Sequence, residues 1–288
     1  MRERIHFWKA TGAGNDFVLI DNRPLTLKGD PGSLARSLCS RHFGVGADGL
    51  ILLEPSSNAD FLMRYFNADG SSGGMCGNGG RCAARLAFYL GVAGNRMRME
   101  ALDFVYAAEI FQESVRLAMK DVSGVRSEDN IQLGGAERSV WYVDTGAPHA
   151  VLFADQLDSL DVQGLGKELR YHQAFAPAGA NADFVKIEGA SSLSLRTYER
   201  GVESETLACG TGAVAAAVAA RYHGEIAPPV NVRVRSGETL CVDFTQQGSR
   251  LTLISLQGSA RILFEGNLIC DSADAHSTIV DLSTTPLV

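Results

Sequence analysis

Two short patterns each occur twice in this chain, in the same order. GAGNDFVLID spans 12–21 and GANADFVKIE spans 179–188, each a Gly/Asn turn leading through Asp-Phe-Val into an apolar strand. MCGNGG spans 75–80 and ACGTGA spans 208–213. One such match could be chance. Two in the same order indicate duplication. The expectation is two similar halves joined near Val122 to Ser127, and 288 residues suit two domains of moderate size.

The flanks of the two C-G-x-G stretches agree as well. RCAARLAFYLG follows the first and VAAAVAARYHG the second. Both are rich in helix formers, mostly apolar on every face, and end on a glycine (Gly91, Gly224) suited to a C-terminal cap. A helix apolar all round is a buried helix. Around them lie runs of β-branched and aromatic residues: Phe17–Ile20, Leu50–Leu53, Phe61–Phe66, Val115–Met119, Val140–Val143, Leu193–Tyr198, Val230–Val234, Leu251–Leu256 and Arg261–Phe264. The fold class expected is α+β. Each half is a curved sheet or barrel around a central buried helix.

The formal net charge is -7 with no Lys/Arg run, which argues against nucleic acid or an anionic membrane as the main partner. The opening MRERIHFWKATGAGNDF has no apolar leader segment, and no stretch approaches the apolar length of a membrane span. A cytoplasmic protein is expected. Six cysteines (39, 76, 82, 209, 241, 270) are too sparse for a disulfide scaffold and include no C-x-x-C pair. The six histidines are scattered, and neither a metal nor a cofactor is expected.

Cys76 and Cys209 share one context. Each lies two residues before a good N-cap type, Asn78 or Thr211, so each sulfur should lie beside a helix N-terminus. Helix-start amides and the helix dipole favour negative charge there, which lowers a thiol pKa and enriches the reactive thiolate. The same amides can bind a substrate carboxylate. With the halves face to face, one thiolate could take an α-proton while the opposite thiol returns one to the other face. That inverts a stereocentre without a cofactor. A module that only holds anions, or a redox pair, would use the same residues. Cys39, Cys82, Cys241 and Cys270 carry no such context and read as core.

Several longer stretches give this chain a family likeness. They are GAGNDFVLID at 12–21, RHFGVGADGL at 41–50, FNADGSSGGMCGNGGRC at 66–82, DTGAPH at 144–149, GANADFV at 179–185 and RTYERGVESETLACGTGA at 196–213. With these the chain closely resembles the diaminopimelate epimerases. The resemblance implies two pseudo-twofold halves with the active site in the cleft between them. It also implies a C-terminal strand, about 259–271, returning to the first half. The domains are then 1–122 plus that strand, and 123–258, with 272–288 a tail of unknown role.

The resemblance further implies an isomerase that epimerises LL-diaminopimelate to the meso form, for lysine and peptidoglycan synthesis, without a cofactor. The catalytic pair falls on Cys76 and Cys209. The carboxylate-binding amides fall on Gly77, Asn78, Gly210 and Thr211, and further substrate positions on Asn15, Asn67, Asn181, Glu199 and Arg200. His149 is a supporting residue close to the reacting centre. The partner is a small amino acid, and a homodimer is compatible with the likeness. A histidine or proline racemase on the same fold is the alternative, with a non-catalytic amino-acid-binding module as another class. Arg200 argues against proline, because a guanidinium can hold a second carboxylate bidentately. Gly49 and Ala147 depart from the pattern: some members carry a glutamine and an asparagine there, both of which contact substrate.

Overall fold

The computed structural model describes residues 2–224, 226–248, 250–271 and 278–281. In chain order the elements begin with β1 (Arg2–Gly12), β2 (Asn15–Asp21), α1 (Pro31–Cys39), β3 (Gly49–Glu54), β4 (Phe61–Asn67) and α2 (Gly77–Tyr89). Next come β5 (Arg96–Ala101), β6 (Phe104–Ile110), β7 (Ser114–Ala118), β8 (Ser123–Leu133), β9 (Ala136–Asp144) and β10 (Pro148–Phe153). After α3 (Val162–Arg170) follow β11 (Asn181–Gly189), β12 (Ser192–Glu199), β13 (Ser204–Thr206) and α4 (Gly210–His223). The chain closes with β14 (Val230–Arg233), β15 (Thr239–Gln247), β16 (Arg250–Ser259), β17 (Arg261–Asp271) and β18 (Thr278–Asp281).

Two compact units result, 1–117 with 258–288, and 118–257. In the first, hydrogen bonding runs β18–β17–β1–β2–β3–β4–β5–β6–β7; β2/β3 and β4/β5 are parallel, the other pairs antiparallel. In the second it runs β8–β9–β10–β11–β12–β14–β15–β16, with β10/β11 and β12/β14 parallel. Parallel neighbours need a crossover, and each pair has a helix in it: α1 and α2 in one unit, α3 and α4 in the other. The two units therefore repeat one another element by element, with two additions: β13 on the end of β12, and β18 beside β17.

This equivalence corrects the first sequence repeat. Gly12–Asp21 enters β2 and Gly179–Glu188 forms β11, but the counterpart of β11 in element order is β3. The CGNG and CGTG stretches do open equivalent helices, α2 and α4.

α2 packs against β1, β2, β3, β4, β6 and β17, and α4 against β9, β10, β11, β12, β14 and β15, so a curved sheet wraps each. The alanines of α4 are fully buried, and their small side chains let the strands approach closely. The other helix of each unit, α1 or α3, packs on the opposite face of the sheet. Leu50 and Leu52 of β3 pack with Leu38 of α1, while Ile51 points the other way, toward α2. GLILLE is buried throughout because both faces of the strand are covered.

α2 departs from the expected all-apolar helix. Arg81 is fully buried; it donates to the carbonyls of Gly77 and Ser259 and, at 2.7 Å, to Asn78 Oδ1. Arg85 donates to the carbonyls of Ala260, Phe111 and Ser114. Both guanidiniums meet backbone carbonyls, which offsets their burial. Cys39 and Cys82 are core residues as expected, but Cys241 is only half-buried because β15 alternates toward solvent there. The Cys270 side chain lies outside the described residues, as does the 272–288 stretch apart from β18.

Candidate active site

The cysteines themselves cap the helices. Cys76 is the N-cap of α2 and Cys209 of α4, both with extended backbone. Gly79 N–H points at Cys76 Sγ over 3.4 Å, and Gly212 N–H at Cys209 Sγ over 3.3 Å. Sequence reasoning gave the capping role to Asn78 and Thr211. The sulfurs hold it because a thiol at that place reaches the third helical amide as a serine hydroxyl does. Gly77 and Asn78, and likewise Gly210 and Thr211, thus occupy the first two helical positions, where the helix makes no use of the amide.

Around Cys76 a chain of polar contacts fixes the helix start. Asn78 Nδ2 donates to Asn15 Oδ1 at 2.6 Å, and Asn15 Nδ2 donates to Asp48 Oδ2 at 2.9 Å. Arg81 below and Asp48 above leave each amide one orientation. Arg41 bridges Asp48 and Asp16, and buried Lys9 bonds Asp16 at 2.7 Å and the Gly46 carbonyl. Burial tends to raise the Asp16 pKa, but the hydrogen bonds and charges of Lys9 and Arg41 outweigh it and hold the carboxyl below its ordinary value. Asn67, at the end of β4, donates to Ser71 Oγ at 2.9 Å and faces Gly49 across β3.

Around Cys209 the pattern is tighter. His149 on β10 is fully buried, with Nδ1 2.6 Å from Asp183 Oδ2. Asn181 Oδ1 accepts from the Arg200 amide at 2.8 Å, which turns its Nδ2 toward the Pro148 carbonyl and, at 3.4 Å, toward His149 Nε2. An amide nitrogen only donates, so His149 Nε2 accepts and Nδ1 carries the proton to Asp183. Thr197 Oγ1 donates to Asp183 Oδ1 at 2.6 Å. A β-carbon at Gly212 would stand 2.7 Å from that same oxygen, so the glycine lets the carboxylate lie against the helix start. Asp183 and Thr197 are the residues that sequence reasoning passed over; Asp183 sits inside the GANADFV motif, and its pairing with His149 depends on strand register.

The Cys209 thiol runs against expectation. Burial first, then the charges of Glu199 and Asp183, push its pKa well above the ordinary value, while Thr211 and the Gly212 N–H only partly oppose them. The helix N-terminus does not enrich the thiolate here, because desolvation of a sulfur anion costs more than two hydrogen bonds return. Glu199 ends β12 and Arg200 follows it in the turn, with its guanidinium 3.5 Å from the Ala178 carbonyl. Within each unit the structure therefore groups its own candidates: Asn15, Asn78 and Cys76 in one; His149, Asn181, Glu199 and Cys209 in the other.

The fold is shared with a phenazine biosynthesis protein of the PhzF family from Bacillus anthracis (TM-score 0.71, 16% identity, 92% of this chain and 99% of that one). It is shared also with a hydroxyproline epimerase from Agrobacterium vitis (TM-score 0.66, 15% identity, 96% of each). Fold and paired cysteine caps define a class of two-half α+β proteins with one thiol-capped helix in each half. The sequence profile of diaminopimelate epimerase matches residues 7–121 and 141–263, and the chain belongs to that family. A diaminopimelate epimerase of Chlorobaculum tepidum is 46% identical over 90% of this chain and 99% of its own length. One of Aquifex aeolicus is 40% identical over 92% and 98%.

Proposed function

We propose that this chain interconverts LL- and meso-diaminopimelate with Cys76 and Cys209 as the acid–base pair. The observation that carries the reading is the repeated one: in both halves of a chain of this family, the first turn of the central helix is capped by a cysteine sulfur. One cysteine, as thiolate, takes the α-proton; the other, as thiol, delivers its proton to the opposite face of the same carbon. The pair ends with its protons exchanged and the stereocentre inverted. The upward shift at Cys209 supports a resting thiol there, able to donate.

In this reading the reacting carboxylate lies on the amides of Gly77, Asn78, Gly210 and Thr211, whose dipoles stabilise charge developing beside the α-carbon. Glu199 accepts from a substrate ammonium, Arg200 takes the distal carboxylate, and Asn15, Asn67 and Asn181 contribute neutral polar contacts. His149 supports the site through Asn181. Two thiols that must stay reduced suit the cytoplasm, and a homodimer belongs to the same reading.

The test is incubation of the reduced protein with LL-diaminopimelate in deuterated water, followed by NMR. α-Deuteration and meso product from wild type, both lost in Cys76→Ala and Cys209→Ala, are expected. Turnover surviving loss of either sulfur would refute the two-thiol mechanism. Exchange with histidine in place of diaminopimelate would refute the substrate.

A further inference from the structure

The Cys76 helix is approached along a short segment that bonds back to β4 at Tyr65 and Phe66. Ser72 bridges to Phe66, and Gly73 N–H donates to the Tyr65 carbonyl at 2.9 Å, three residues before Cys76. The Tyr65 ring stands between two glycines. A β-carbon at Gly73 would overlap its Cδ1 and Cε1, and one at Gly49 would overlap Cε2 and stand 3.0 Å from Cζ. Both ring edges are thus held, and Phe17 meets the ring edge-on at 6.0 Å. On β3 and β4 Tyr65 pairs with Ile51, whose Cδ1 would lie 3.0 Å from a β-carbon on Gly79, the residue whose amide meets the Cys76 sulfur. The corresponding place in the other half, across from Asp183, is Thr197, a hydroxyl donor with no such wedge.

We propose that Tyr65 is a positioning residue for Cys76: its ring, wedged between Gly49 and Gly73, sets where the 73–76 segment delivers the thiol. A planar ring filling a slot that two glycines leave open is a rigid spacer. Removing it lets the segment settle inward and moves the sulfur off the line to the α-proton. Proton transfer is sensitive to that: a displacement of about 1 Å can cost roughly 100-fold in rate.

The experiment uses the full chain and two readouts. Tyr65→Phe keeps the wedge, and Tyr65→Ala removes it, with Tyr65→Leu in its place should the alanine variant not fold. The kinetic readout rests on the epimerase reading: Tyr65→Ala is expected to lower kcat by about 10-fold or more with KM within about threefold, and Tyr65→Phe to stay within about twofold of wild type. The second readout needs no substrate. Native protein is treated with iodoacetamide, and alkylation of Cys76 relative to Cys209 is read by peptide mass spectrometry. The ratio is expected to move by about threefold or more in Tyr65→Ala and to hold in Tyr65→Phe. A general loosening raises both rates together and leaves the ratio unchanged. An unchanged ratio, an undiminished kcat in Tyr65→Ala, or equal damage in Tyr65→Phe would overturn the proposal. A wild type without turnover would end the epimerase reading while the alkylation ratio still judges Tyr65.

Discussion

Ile51 and Asp183 hold the same place in the two halves. Each lies on the second strand of a parallel pair and faces the glycine three residues past its cysteine: Ile51 Cδ1 against Gly79, Asp183 Oδ1 against Gly212. One helix start therefore rests on a methyl group and the other on a buried carboxylate. Duplication made two similar capped helix starts, and at Cys209 the Asp183 charge adds to burial and to the charge of Glu199 in holding the thiol neutral.

Asp183→Asn should lower the Cys209 pKa. The carboxylate charge favours the neutral thiol, so its loss favours the thiolate; burial, the larger cause, remains and keeps the pKa above its ordinary value. The pH dependence of Cys209 alkylation reads this directly, and its midpoint should move to lower pH. An unmoved midpoint would show that Asp183 does not set the charge state. Turnover should fall as well, because an amide has one acceptor oxygen where the carboxylate offers two, so His149 and Thr197 cannot both keep theirs.

Alanine at Gly79 and Gly212, whose amides meet the capping sulfurs, should have unequal effects. At Gly212 a methyl would meet Asp183 Oδ1 at 2.7 Å and Thr197 Oγ1 at 3.2 Å, both held by hydrogen bonds. At Gly79 it would meet the end of the Ile51 side chain at 3.0 Å, which can turn aside. Gly212→Ala should cost about 2 kcal/mol of stability and Gly79→Ala less than about 1 kcal/mol, by denaturant titration. Equal costs would contradict the geometry.

Acid should weaken the unit that carries Cys76. The folded Asp16 pKa is lowered, so its contribution is complete above the unfolded value near 3.8 and is lost as pH falls through the folded one. At neutral pH Asp16→Asn leaves buried Lys9 without its carboxylate, at a cost of about 2 kcal/mol after discounting for the partly exposed partners. Stability measured from pH 7 to pH 3 should fall less steeply in the variant. A parallel fall would show that the pair is not the source.

Cys39 should resist alkylation in the native protein at pH 8. Burial pushes its thiol up to about 12, so almost no thiolate is present. Modification should appear only as the protein unfolds, and rapid native labelling would contradict its placement.

The apolar strands were legible in the sequence because their faces are covered. β3 and β4 read as runs of large hydrophobes, and the helix ends announced themselves at Gly91 and Gly224, both left-handed at φ 67° and 95°. β1, β5, β6, β8, β10 and β15 were not legible. RMRMEA alternates arginine with buried methionine, and β8 is exposed over most of its length, so its backbone pairing with β9 defines it. The duplication was legible at the cysteines but misaligned upstream, because equivalent positions such as Ile51 and Asp183 have diverged in kind. The substrate candidates came from motif likeness; the Asp183–His149–Asn181 arrangement needs the parallel register of β10 and β11, which no local pattern encodes.

The return of β17 to β1 sets an order of events during synthesis. The unit that holds Cys209 is one continuous stretch, 118–257, and is whole once that stretch has left the ribosome. The unit that holds Cys76 begins first but lacks β17, one of the two neighbours of β1, and the Ser259 and Ala260 carbonyls, which take Arg81 and Arg85, until residues 259–271 have been made. Until then Arg81 has Gly77 and Asn78 to bond, and Arg85 the Phe111 and Ser114 carbonyls. The half translated first is therefore the half completed last, and a chain truncated after residue 257 would carry a whole second unit with the first still missing β17.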